Sequence, residues 1–228
     1  MHATVAPRSS LAQIRGMFAL LRPRQWVKNV FVFAPLIFAG EFLKLQSIEK
    51  VALTALIFCV ASSATYILND LTDIERDRRH PKKSKSRPLA SGLVSIPQAI
   101  TILLILYVAL LAAWFVMPAV LYVVLGYLLL NLAYTFVLKH QPVIDIFTIA
   151  IGFVLRVYAG AMALSVPVSS WMFVTTLCLA LYLAAVKRGQ ELASNGSDSR
   201  EVLQHYTPAL IDRYAEMAAT GALLFYSM

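Results

Sequence analysis

Stretches of apolar residues close to the ~20 needed to cross a bilayer recur along almost the whole chain, and nothing else constrains its fold as strongly. They fall at roughly 27–41, 48–68, 97–116, 119–138, 143–164, 170–187 and 210–228. An open sheet cannot satisfy its backbone groups in lipid, so each stretch is expected to be a helix, seven in all. Hydrophobic residues make up 59% of the chain and the mean hydropathy is +0.70, far above an ordinary soluble domain. The expected architecture is therefore all-α: one integral membrane domain over residues 1–228, a polytopic transmembrane helical bundle.

The positions of Lys and Arg set the expected orientation, because cytoplasmic loops carry the excess of these residues. The N-terminus, the 69–96 connection, Lys139 and Lys187–Arg188 are basic, whereas the turns at Met117–Pro118 and Ser165–Ser169 carry no charge. The basic side is thus expected to face the cytoplasm of a bacterial cytoplasmic (inner) membrane. Arg8, Arg15, Arg22 and Arg24 precede the first apolar stretch, and no small-residue cleavage pattern follows, so the N-terminus reads as a retained interfacial segment. The formal charge of +8 flanks membrane spans and meets anionic lipid headgroups, which makes membrane lipids the expected partners and excludes nucleic acid. Cys59 and Cys178 lie inside apolar stretches, and His2, His80, His140 and His205 are scattered, so neither residue type points to a zinc or haem site.

The most informative polar stretch is Asn69-Asp70-Leu71-Thr72-Asp73-Ile74-Glu75-Arg76-Asp77. If the preceding helix continues, about 100° of rotation per residue brings Asp70, Asp73 and Asp77 within about 60° of one another, with Asn69 beside them and Glu75 opposite. Carboxylates held this close repel unless a cation lies between them, and hard oxygen ligands of this kind suit Mg²⁺ or Mn²⁺. Mg²⁺ prefers a coordination shell completed by phosphate oxygens, so the stripe predicts a diphosphate-bearing substrate. The alternative is a solvated helix end whose acids pair with Arg76, Arg78 and Arg79. Downstream, His80-Pro81-Lys82-Lys83-Ser84-Lys85-Ser86-Arg87-Pro88-Leu89-Ala90-Ser91-Gly92 reads as a basic loop. In it Lys82 and Arg87 are the expected phosphate ligands, Arg as a fork and Lys as a point charge.

Further polar residues fall where lipid would make them costly. Arg156 lies well inside the fifth stretch, where an unpaired charge costs roughly 2.5–3.5 kcal/mol, so it is expected to face a polar cavity. Asp145 precedes it by 11 residues, which puts both on one helix face about 16 Å apart. Lys28 and Asn29 open the first stretch and are expected to line the polar chamber, while Trp26 reads as an interfacial anchor and Arg22 and Arg24 as topology signals. Lys187 and Glu191 stand four residues apart, the spacing of a simple surface ion pair.

The block from Asn69 to Gly92, NDLTDIERDRRHPKKSKSRPLASG, resembles the first aspartate-rich motif of the UbiA prenyltransferase superfamily, N-D-x-x-D-x-x-x-D, with its closing R-P-x-x-S-G. RPRQWVKN at 22–29, HPKKSKSRPLASG at 80–92 and GFVLRVYAGA at 152–161 resemble its decaprenyl-phosphate phosphoribosyltransferase branch, which serves cell-wall arabinan and related glycans. The resemblance implies a magnesium-dependent membrane transferase that moves phosphoribose from 5-phosphoribosyl 1-diphosphate to a polyprenyl phosphate. It implies Asn69, Asp70, Asp73 and Asp77 as metal ligands, with Glu191 joining them, and Asp73, Asp77 and Arg156 as the groups at the reacting centre. Tyr134, Lys139 and Asp145 are similar to the superfamily's Tyr/Lys/Asp pattern, and Lys187 and Arg188 to the phosphoribosyltransferase branch; all five are expected to bind substrate. The second aspartate-rich motif of many members is here reduced to Glu191, with Asp198 and Glu201 further on.

The nearest rival reading keeps the fold and makes the chain an aromatic prenyltransferase with a polyprenyl diphosphate donor. A more remote one is a lipid transporter or scaffold. The 69–96 and 188–209 connections are expected to be cytoplasmic and to cap the active site, and a homo-oligomer is compatible with all of this. Members of the superfamily usually have nine transmembrane helices, so a chain whose seventh apolar stretch ends at Met228 reads either as truncated or as a short relative lacking the last two.

Overall fold

The computed structural model describes residues 10–195 and 201–228. The chain runs through α1 (Ser10–Leu20), a 3₁₀ segment (Pro23–Phe33), α2 (Ala34–Phe38), α3 (Leu45–Thr72), α4 (Ile74–Arg79), α5 (Lys83–Ser86) and α6 (Ile96–Trp114). It continues through α7 (Pro118–Phe136), a 3₁₀ turn (Leu138–His140), α8 (Ile144–Leu164), α9 (Ser170–Asn195), a second 3₁₀ turn (Glu201–His205) and α10 (Pro208–Tyr226). No strand occurs among the described residues. His2, Arg8 and Asp198 lie outside them, as does the side chain of Glu201.

Helix ends follow the local chemistry of the sequence. Ser95 and Gln98 close a reciprocal capping box at the start of α6, and the Thr207 hydroxyl accepts from the Leu210 N–H at the start of α10. Prolines fill the first turns of α2, α6, α7 and α10, where a missing N–H costs nothing.

Two of the expected spans differ in detail. Residues 27–41 do not form one helix, because Pro35 cannot donate back to the preceding turn, so a 3₁₀ segment ends at Phe33 and α2 restarts at Ala34. The last apolar stretch is helical as α10, but the exposed Asp212, Arg213 and Glu216 interrupt its apolar character. By length and composition, α3, α6, α7, α8 and α9 can each cross a membrane. This is a multi-pass membrane protein.

The chain forms two compact units. The first comprises Met1–Val27 and Cys59–Val116. Its core gathers Leu20, Ile67, Leu89, Val94, Ala99 and Leu103 from α1, α3, α6 and the basic loop. The second comprises Lys28–Phe58 and Met117–Met228. At its centre α8 contacts α2, α7 and α9, and α10 lies along α9. Small residues let backbones approach: a Cβ at Gly160 would collide with the Val32 carbonyl oxygen, so only glycine fits there. On α6 the apolar side chains Leu104, Ile105, Val108 and Leu111 are exposed, as lipid-facing residues are.

Candidate functional site

In the first unit, backbone bonding carries the helical period across the break between α3 and α4: the Asp73 N–H donates to the Asn69 carbonyl and the Asp77 N–H to that of Asp73. Asp70 and Asp77, two turns apart, therefore share a face, and both are buried. One Arg87 Nη1 bonds both carboxylates, at 2.6 Å from Asp70 Oδ1 and at close range to Asp77 Oδ2. Arg22 Nη2 reaches the same Asp70 oxygen at 2.5 Å, and its guanidinium lies over the Tyr66 ring, 4.9 Å from the centroid. Lys83 Nζ stands 3.6 Å from Asp77. Glu75 points away and pairs with exposed Arg78.

The basic loop lies on the acidic face through Arg87, one of its two expected phosphate ligands, and through Lys83. Lys82 is exposed at the start of α5, and Asp73 and Asn69 are half-buried beside the pair. Arg22, which the sequence presents as a topology signal, is a full member of the cluster, and its positive φ of 52° ahead of Pro23 is a strained conformation for a non-glycine residue. Trp26, expected as an interfacial anchor, donates through Nε1 to Ser63 Oγ on α3 at 3.0 Å.

The second unit holds two polar clusters. In one, Arg156 is buried on α8, with Nε donating to Asn29 Oδ1 at 2.8 Å, Nη1 to the Gly152 carbonyl at 2.6 Å and Nη2 to the Tyr127 hydroxyl at 3.2 Å. The rings of Phe58, Tyr127 and Phe153 surround the guanidinium at 4.8–5.6 Å. The charge is thus solvated by neutral dipoles and ring faces. Asp145, on the same helix, is not its partner.

In the other cluster Arg188 and Asp145 meet at 2.7 Å with both side chains fully buried. Arg188 also bonds Glu191 at 2.6 Å and the Tyr134 hydroxyl at 3.2 Å. Tyr206 donates its hydroxyl to the second Asp145 oxygen at 2.7 Å and accepts the Val143 N–H at 2.7 Å. Burial, reinforced by the hydrogen bond to Asp145, pushes the Tyr206 phenol well above its ordinary range, and the Val143 N–H pulls the other way. Lys187 is half-exposed and lies 3.7 Å from Glu191, the surface pair that their spacing anticipates. Lys28 and Lys139 are half-buried, on the 3₁₀ segment and the 3₁₀ turn.

The structure thus joins Asp70, Asp77 and Arg87; Asn29 and Arg156; and Tyr134, Asp145, Arg188 and Glu191. Sequence reasoning missed Arg22, Lys83, Tyr127 and Tyr206. Of these, Arg22 and Lys83 lie in the motif-like blocks 22–29 and 80–92, Tyr127 is a polar tip in the middle of an apolar helix, and Tyr206 carries no local signal.

Among the described residues no three or more His, Cys, Asp or Glu converge as a ready metal cage. Asp70 and Asp77 still present hard oxygens on one face around a cation, here the Arg87 guanidinium, and that donor set fits an ion whose shell is completed from elsewhere.

Long apolar helices with a carboxylate face carried from the end of α3 into α4 form a membrane protein with a polar site, and the match of residues 30–227 to the UbiA prenyltransferase family places the chain within that family. It is 36% identical to the decaprenyl-phosphate phosphoribosyltransferase of Mycobacterium tuberculosis over 223 residues, 94% of this chain and 74% of that protein. It is also 36% identical to the enzyme of the same name from Corynebacterium glutamicum over 230 residues, 97% of this chain and 68% of the relative. A solved UbiA homolog from Archaeoglobus fulgidus, bound to GPP and Mg²⁺, has the same fold, with a TM-score of 0.72 at 20% identity over 92% of this chain and 75% of that one.

Proposed function

We propose that this chain is a membrane-embedded transferase that moves phosphoribose from 5-phosphoribosyl 1-diphosphate to a polyprenyl phosphate of the decaprenyl class, releasing diphosphate. The names of its mycobacterial and corynebacterial relatives support the substrate pair. The structural observation that carries the chemistry is the face shared by Asp70 and Asp77, bridged by Arg87. The enzyme works in the bacterial cytoplasmic membrane with the basic connections on the cytoplasmic side.

A phosphate monoester is already anionic near neutral pH, so its oxygen attacks the anomeric carbon without a strong base. The new carbon–oxygen bond forms as the bond to diphosphate breaks, and the electron pair departs with diphosphate. Asn69, Asp70, Asp73 and Asp77 are the residues that would hold Mg²⁺, or Mn²⁺ in its place; bound there, the ion neutralises charge on the diphosphate. Arg87, Arg22, Lys82 and Lys83 supply donors to phosphate oxygens, and Arg fits them bidentately. In the second unit, Lys28, Tyr134, Lys139, Lys187 and Arg188 bind phosphate-bearing substrate. Asp145 orients Arg188, and Asn29 orients Arg156.

The test is a paired assay on purified protein in lipid, with and without Mg²⁺. Labelled phosphoribosyl diphosphate plus polyprenyl phosphate is expected to give Mg²⁺-dependent label in the lipid phase, abolished by Asp73→Ala. Product only from a prenyl diphosphate and an aromatic acid would overturn the substrate assignment and keep the family.

A further inference from the structure

The link between α7 and α8 contains a backbone outlier. Val143 has φ 70° and ψ −48°, and the Ile144 N–H donates to the Pro142 carbonyl at 2.8 Å across it. This is a γ-turn of the positive-φ form, rare and strained for any residue and more so for a β-branched one. Strain of this kind persists only where neighbours over-determine it, and it collects at functional sites.

The neighbour here is Tyr206, which arrives from the far side of the second polar connection. Its hydroxyl accepts the Val143 N–H and donates to Asp145 Oδ1, both at 2.7 Å. The other Asp145 oxygen receives Arg188 Nε. Tyr206 is itself buried among Ile146, Ala184, Val202, Leu203 and Ile211, so its ring is fixed by packing. A chain of contacts thus runs from the turn through one phenol and one carboxylate to a guanidinium that also meets Tyr134 and Glu191.

We propose that Tyr206 is a positioning residue, which through Asp145 fixes the direction in which the Arg188 guanidinium meets a phosphate-bearing substrate. The proposal rests on the reading of Arg188 as a substrate-binding group. Without the phenol, one Asp145 oxygen loses its donor, and the carboxylate is free to rotate about its terminal torsion. Arg188 then keeps its charge partner and loses its aim. A purely structural tyrosine would instead serve only the turn.

The test is a double-mutant cycle on the full chain in lipid, with Tyr206→Phe, Asp145→Asn and the pair. Tyr206→Phe is expected to lower kcat/KM about tenfold and, in the Asp145→Asn background, to change it less than twofold. Full additivity of the two effects would overturn the proposal.

A second variant separates the roles of the phenol. Val143→Gly relieves the turn, since glycine adopts positive φ without cost. Added to Tyr206→Phe, it is expected to restore melting temperature but not kcat/KM; recovery of both would show that the tyrosine serves the turn alone. The same cycle is read as affinity for inorganic diphosphate, which needs no turnover. Failure of the phosphoribose assignment would leave that readout intact, whereas additive losses of diphosphate affinity would overturn the positioning role itself.

Discussion

Arg188 and Asp145 form an ion pair 2.7 Å long with neither side chain exposed to any solvent. Removing one partner leaves the other buried and uncompensated, a loss of about 3–5 kcal/mol. Arg188→Met is expected to lower stability by that amount in denaturant unfolding of the detergent-solubilised protein. The double change Arg188→Met/Asp145→Leu, which buries no charge, is expected to recover at least half of the loss. A double variant as unstable as the single one would contradict this account.

Asp70 and Asp77 share Arg87, so either carboxylate can be neutralised without unfolding the first unit. Asp77→Asn is expected to keep the melting temperature within a few degrees. Loss of even an outer-shell partner of a metal ligand typically costs 10–100-fold in affinity or activity, so with a direct ligand altered the Mg²⁺ concentration for half-maximal transfer is expected to rise by at least about tenfold. Titration with Mn²⁺ followed by paramagnetic resonance provides a measurement free of turnover. An unchanged metal requirement would remove Asp77 from the ligand set.

Tyr206 is neutral in the fold and its phenol is raised above the ordinary value of about 10. A raised acid stabilises the fold fully below its unfolded value, and the contribution disappears as pH rises through the folded one. The groups facing the phenol are the Asp145 carboxylate, the Arg188 guanidinium and the Val143 N–H. Stability from this residue should therefore be flat from neutral pH to about 10 and fall above it. Phenolate absorbance is expected to lose a late-titrating component in Tyr206→Phe relative to wild type; identical titration curves would be evidence against the buried bond.

Arg156 depends on Asn29, 127 residues away, for an acceptor at Nε. Asn29→Leu removes it and leaves a buried charged donor unsatisfied, which costs about 1–3 kcal/mol or more. Asn29→Asp, which supplies a carboxylate at the same place, is expected to retain stability better than Asn29→Leu. Thermal melting of the two variants side by side decides this, and equal losses would show that the acceptor is unimportant.

What was legible in the sequence follows from the reach of local periodicity. Lipid forces helices, so the all-α class and most of the long helices could be read from apolar length alone. The shared face of Asp70 and Asp77 could be read because two turns of helix preserve direction. The 3₁₀ segment at Pro23–Phe33 was hidden under an apolar run whose composition suits a span, although Pro23 and Pro35 marked its limits. Partners brought together by packing were invisible: Arg22 meets Asp70 across 48 residues and Tyr206 meets Asp145 across 61, and no periodicity reports such distances. Asp145 and Arg156 share a helix, and the structure gives each a different partner from outside it.

The contact between Gly160 and the Val32 carbonyl has a consequence for any mutational survey of this protein. A position where even one methyl group is excluded will score as intolerant as a ligand-binding residue, since every substitution there forces two backbones apart. Ranking positions by loss of activity alone would thus place Gly160 beside Asp70 and Asp77. Counting folded protein in the membrane for each variant would separate them, because the glycine variants should be scarce and the aspartate variants abundant but silent.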